Sequence, residues 1–334
     1  MSESLQKRIY AFHGLDLRVS CPEPIAEAFD SRFRLVPFRE EDRKVIDIEF
    51  QSVAGGSEHS LVRPAGEGRA FYDLPSGETS YFAETDEVYM SFGDGVRALA
   101  KPGLGSVSFS VVSTDPVNVF MASHLMFTIL LVEIMKRRGC FSMHAAAFSR
   151  DGKAVLIAGT SGAGKSTLAV TLLRGGFGYL SDDMLFLRRR NDGLAVLGFP
   201  EDVDVSDRTI GFFPELSFLA QSPKAPGWPK KQVRADEVYG SELVCEAKPG
   251  AILIPRISGK ETSVVRPIGA DEALLEIVSN VLLSEPRSCQ EHLNVLSELV
   301  RDTPCHRLET GRDFARIPTL LKDILSGTRE EIHV

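Results

Sequence analysis

The chain has 334 residues, 43% hydrophobic and 25% charged, proportions that exclude a disordered polypeptide and a bundle of membrane helices. At about 150 residues per domain the length fits two domains. Lysine and arginine number 38 against 46 aspartate and glutamate, a formal net charge of −8, which argues against a nucleic-acid partner whose affinity comes from neutralising phosphates. The five cysteines, Cys21, Cys140, Cys245, Cys289 and Cys305, form no CxxC pair and are odd in number, as expected in a reducing compartment. No apolar run follows the charges at Lys7-Arg8, so a secretory signal is not expected and the cytoplasm is the expected location.

From Ile9 to Ser113 short alternating runs such as Val45-Ile46-Asp47-Ile48-Glu49-Phe50 and Val107-Ser108-Phe109-Ser110-Val111-Val112 read as half-buried strands. Turn residues punctuate them at Gly55-Gly56, Pro75-Ser76-Gly77, Gly93-Asp94-Gly95 and Pro102-Gly103, a pattern that suits an antiparallel sheet. Residues 1–114 are therefore expected to form a smaller β-rich domain, for substrate docking or assembly, and residues 115–334 an α/β domain. His13 and His59 have no partner in the pattern and read as solvated or structural.

Thr114-Asp115-Pro116 reads as a helix start, with a capping side chain before a proline whose missing N–H costs nothing there. The helix should run to Lys136-Arg137-Arg138 and stop at Gly139. Its uncharged stretch from Pro116 to Val132 contains Asn118, Ser123, His124 and Thr128 and is short of the roughly 20 apolar residues of a membrane span, so a buried core helix is expected and no membrane partner. Phe141 to Phe148 and Lys153 to Ala158 then read as two strands about the turn Arg150-Asp151-Gly152, the second continuously apolar like a central buried strand. Further on, strands are expected at Ala251 to Pro255 and Thr262 to Pro267, and helices at Ala270 to Leu283, Cys289 to Val300 and Asp313 to Ile324.

Gly159-Thr160-Ser161-Gly162-Ala163-Gly164-Lys165-Ser166 matches the phosphate-binding pattern G-x-x-x-x-G-K-[ST], between that strand and a predicted helix from Ser166 to Arg174. Its glycines let backbone N–H groups curl around phosphates, the helix N-terminus adds positive potential, Lys165 a point charge, and the Ser166 hydroxyl a ligand for Mg²⁺. Thr167 follows directly and is included among the binding residues. Asp182, in Leu180-Ser181-Asp182-Asp183, comes only 17 positions after Lys165, which places the acidic pair on the next strand. Adjacent strand residues point to opposite faces, so both carboxylates can serve one site only at a strand end. One would accept the proton of an attacking hydroxyl and the other hold Mg²⁺. An isolated Asp-Asp pair is usually a solvated turn; beside this loop the site reading is the better one. His144, in Ser142-Met143-His144-Ala145-Ala146, lies level with the loop beyond Ile157 by hairpin geometry, and so either lines the site or belongs to the core.

In this order and at this spacing His144-Ala145-Ala146, the loop Gly159 to Ser166 and Ser181-Asp182-Asp183 resemble the catalytic core of HPr kinase/phosphorylase and its relatives, which share a P-loop architecture with phosphoenolpyruvate carboxykinase. The resemblance is specific over His144 to Leu187 and weaker to Leu283. It implies an α/β P-loop kinase domain, preceded here by the β-rich domain, that moves the ATP γ-phosphate to a hydroxyl, typically a serine of a peptide or small carrier protein. By the same resemblance Gly159 to Ser166 binds ATP, Asp182 is the general base, Asp183 the metal-linked carboxylate, roles that could be exchanged, and the protein is a homo-oligomer. The family's Glu-Ile-Arg-Gly-Leu-Gly stretch is replaced by Gly198 to Arg208, where Glu201 and Asp204 are candidate acids or part of a solvated loop. Lys231 and Arg234, in a basic segment rich in breakers, are candidate cations for the transferred phosphoryl group. Two other activities fit the same residues: a kinase of a small hydroxylated metabolite, and a nucleotide-gated switch that transfers nothing.

Overall fold

The computed structural model describes residues 5–33, 44–52, 61–74, 76–160, 162–199, 201–224, 230–279 and 281–327. Gly55-Gly56, His59, Pro75, Ser161 and residues 226–229 of the basic segment lie outside them. The chain is mixed α/β and divides into two compact units, one of residues 1–140 and 282–290 and the other of 141–281 and 291–334. The division expected at 114/115 therefore falls after the long apolar helix instead.

Among the described residues of the first unit eight strands form one sheet. Gly77–Phe82, Glu87–Phe92, Val96–Lys101 and Ser106–Val111 make the antiparallel meander that the turn residues imply. The purely antiparallel expectation fails at Lys44–Ser52, which runs parallel to both neighbours, Leu15–Cys21 and Ser106–Val111. A parallel neighbour needs a crossover, and a helix at Glu23–Phe33 lies in that connection. Its buried Ile25, Ala26, Phe29 and Phe33 recur at helical spacing, a signal masked by the β-rich surroundings. The ring of Phe29 meets Phe50 of the sheet and Phe127 of the apolar helix, with centroids 5.9 and 4.9 Å apart.

That apolar helix spans Pro116–Lys136, long and apolar enough to cross a membrane by length and composition, with 67% of its most apolar window buried inside the protein. Asp115 caps it by accepting from the N–H groups of Val117 and Asn118 at 3.0 and 3.1 Å, and Gly139 adopts the expected left-handed conformation, φ +70°. Met121–Leu125 winds as a wider π turn. Near the helix end Lys136 Nζ donates to Glu133 Oε1 at 2.9 Å, to the Leu282 carbonyl at 2.6 Å and to Ser284 Oγ at 2.7 Å. Arg137 pairs with Asp86 and Glu285, both at 2.6 Å. A buried cation must keep its partners, which is why residues 282–290 belong with a unit whose other residues lie more than a hundred positions earlier.

In the second unit Cys140–Arg150 and Lys153–Ala158 form the expected hairpin, with Asp151 and Gly152 both at positive φ. Lys153–Ala158 also pairs in parallel with Glu246–Ile257, which pairs in parallel with Cys305–Thr310. Side chains alternate between the two faces. Ala146, Phe148, Val155 and Ile157 pack with Leu168, Leu172 and Leu173 of the helix Lys165–Arg174 and with Leu321 of Ile317–Ser326. Ala145, Ala147, Leu156 and Ala158 pack with Ile277 of Ala270–Val278 and Leu296 and Leu299 of Pro286–Asp302. A parallel strand covered on both faces is apolar throughout, as Ala154 to Ala158 is.

Candidate functional site

The strand Lys153–Ala158 ends at the loop, and the helix Lys165–Arg174 begins at its last lysine. Gly162 and Gly164 have φ of +83° and +96°, which a residue with a Cβ adopts only with strain. A Cβ on Gly162 would meet no atom within 4 Å, so that face of the loop is open space. Lys165 Nζ donates to the Gly159 carbonyl at 2.6 Å. Burial and the charge of Lys230 lower its pKa, while Asp183 and Asp182 act in the opposite sense. The Thr167 hydroxyl, included with the binding residues from the sequence, is 3.2 Å from Thr209 Oγ1, which is itself 3.0 Å from Ser206 Oγ.

Gly178–Ser181 pairs with Cys140–Arg150, and Asp182 and Asp183 form the bend between it and the next strand, Met184–Arg190. The break in the strand gives the two carboxylates different surroundings. Asp182 is buried, and its Oδ2 accepts the Asp204 N–H at 2.9 Å. Burial, reinforced by the charges of Asp183 and Asp204, pushes its carboxyl up to about 7, against the Asp204 N–H and Lys230. Asp183 is half exposed and lies 3.1 Å from His144 Nδ1. Burial raises its pKa, but the His144 contact and the charges of Lys230 and Lys165 outweigh that and hold the carboxyl below its usual range. His144 precedes the Ala145↔Ala158 register pair by one residue, which sets it level with Gly159.

The helix and strands thus gather His144, Lys165, Asp182 and Asp183 about the loop. Ser166 and Thr167 lie in the helix's first turn, and Gly159, Thr160, Ala163 and Gly164 in the loop itself. Glu201 is carried by a different contact: its carbonyl accepts the Tyr179 hydroxyl at 2.7 Å, and its charge acts on that phenol with those of Asp182, Asp202 and Asp204. Lys231 is buried, donating to the Ala220 carbonyl at 2.7 Å and lying 3.3 Å from Asp207 Oδ1. Arg234 pairs with Asp236 and Glu237 of its own helix. Among the charges that act on Lys165, Asp182 and Asp183 is that of Lys230. Lys230 immediately precedes the strand Lys231–Val233, which pairs with Val203–Val205, and nothing in the sequence marked it out from its neighbours in the basic segment.

Ser166 and Asp183 supply two oxygen donors fit for Mg²⁺, which keeps water and substrate phosphates as its remaining ligands. Among the described residues no three His, Cys, Asp or Glu side chains converge as a protein-only metal cage.

Residues 111–215 match the family described as SynChlorMet cassette protein ScmC, a stretch that holds His144, the loop and the acidic pair. A comparison with curated proteins gives no match. Among solved structures the chain is similar to the Hpr(Ser) kinase/phosphatase from Coxiella burnetii, with a TM-score of 0.32 and 14% identity, over 56% of this chain and 90% of that one. Similarity at that level assigns neither family nor reaction, so a functional reading stands on the chain's own residues.

Proposed function

We propose that the chain is an ATP- and Mg²⁺-dependent phosphotransferase that moves the γ-phosphoryl group to a hydroxyl, a serine of a peptide or small carrier protein. The observation that carries this reading is the acidic pair at a strand end beside the phosphate-binding loop, with one carboxyl buried and one paired to His144. A protein that only binds nucleotide has no use for a base there. Asp182 accepts the proton of the attacking hydroxyl at Oδ1, because Oδ2 is held by the Asp204 N–H, and a carboxyl near 7 suits a base at neutral pH. The loop N–H groups and Lys165, once released from the Gly159 carbonyl, hold the phosphate oxygens in place. Bound Mg²⁺ would supply charge neutralisation on those oxygens, with Ser166 and Asp183 as its protein ligands and His144 fixing the Asp183 carboxylate.

Incubation with γ-labelled ATP and Mg²⁺ in a cognate lysate, beside Asp182→Asn, tests this. A labelled protein or peptide that disappears with the variant supports the proposal. Label confined to small molecules moves the acceptor to a metabolite, and tight nucleotide binding without transfer overturns the kinase reading in favour of a switch.

A further inference from the structure

Three parallel strands, Lys153–Ala158, Glu246–Ile257 and Cys305–Thr310, end on the same side of their sheet, where open α/β sheets bind ligands. The middle one is the longest. By its register with the loop strand, Leu253↔Ile157, Pro255 comes level with Gly159 and Ile257 projects two residues beyond. Pro255 lies 3.5 Å from where a Cβ of Gly159 would sit, and Ile257 Cγ1 lies 3.7 Å from the equivalent point on Gly164. The intervening Arg256 pairs with Glu276 at 3.1 Å, as strand alternation requires. The two apolar side chains therefore flank the two ends of the loop. Pro255 is buried, whereas Ile257 is 52% exposed, a large aliphatic side chain left in solvent at the edge of a phosphate cradle.

We infer that Ile257 is a platform for the nucleoside half of a nucleoside triphosphate, covering ribose and base carbons while the loop holds the phosphates. This rests on the nucleotide reading above and names the surface that would hold the rest of that ligand. An aliphatic side chain offers no hydrogen bond to a base edge, so the platform takes adenine and guanine alike and contributes area rather than base selection.

The test measures binding of ATP, GTP and inorganic tripolyphosphate, which has no nucleoside, to the full-length protein and to Ile257→Ala and Ile257→Leu. Covering the exposed half of an isoleucine corresponds to roughly a tenfold change in affinity. Ile257→Ala is expected to lose about that factor for ATP and GTP equally and nothing for tripolyphosphate, while Ile257→Leu keeps wild-type affinity for all three. Unchanged ATP affinity in Ile257→Ala, or an equal loss for tripolyphosphate, overturns the platform. Failure of the wild-type protein to bind either nucleotide or tripolyphosphate is a different outcome: it refutes the loop reading on which the platform depends, and the platform with it.

Discussion

Asp182→Asn separates the chemistry of the site from its cost to the fold. The native carboxyl titrates near 7, above its ordinary 3.8, so the folded state holds this proton more tightly than the unfolded chain does. Its contribution to stability is fully present below about pH 4 and is lost as pH rises, with the whole penalty developed above about pH 7. A gap of about three pKa units corresponds to up to about 4 kcal/mol. Asparagine keeps an oxygen to accept the Asp204 N–H and carries no charge to desolvate. The variant should therefore be more stable than the wild type at pH 8, by as much as about 4 kcal/mol, and equal to it near pH 4. Urea unfolding followed by circular dichroism at pH 4, 6 and 8, in EDTA so that no metal loads the neighbouring Asp183, measures the difference. A wild type as stable as the variant at pH 8, or a difference that does not change with pH, would refute the account of Asp182 as a desolvated carboxylate. In the same variant phosphoryl transfer should fall to background with nucleotide affinity retained, since the phosphate cradle is untouched.

Lys165→Ala removes the charge poised at the Gly159 carbonyl, and calorimetry should show ATP affinity reduced roughly tenfold to a hundredfold. Lys136→Ala strands the buried Glu133 carboxylate and should cost about 3–5 kcal/mol in denaturant unfolding, whereas the double change Glu133→Leu with Lys136→Met should recover most of it. A Cβ on Gly198 would sit 2.5 Å from the Leu180 carbonyl and 3.0 Å from that of Val244, so Gly198→Ala must shift the strand that leads into Asp182. Its expected cost is about 1–3 kcal/mol, with transfer falling more than nucleotide affinity when both are assayed on the folded protein.

The residues legible in the sequence are those whose partners are near in the chain. Asp115 caps a helix two and three residues ahead, Asp151-Gly152 turns a hairpin onto its own neighbour, and Gly162, Gly164 and Lys165 form their loop within one short segment. The acidic pair falls at a strand end, as expected, because the spacing from the loop allows only one helix and one turn. Residues 282–290 could not be placed that way, nor could the parallel insertion of Lys44–Ser52, since both depend on segments that return from far away.

What the sequence by itself determined is the glycine-rich loop from Gly159 to Ser166, its flanking strand and helix, and the place of the acidic pair at a strand end, because local spacing and backbone preference act over a few residues. Only the tertiary structure decided which of two adjacent aspartates is buried and which meets His144, and that the charge of Lys230 acts on them while Lys231 and Arg234 pair with other carboxylates. Burial and electrostatic partnership are set by what distant strands bring alongside, and neighbouring residues of one strand point to opposite sides until that packing assigns each side an environment.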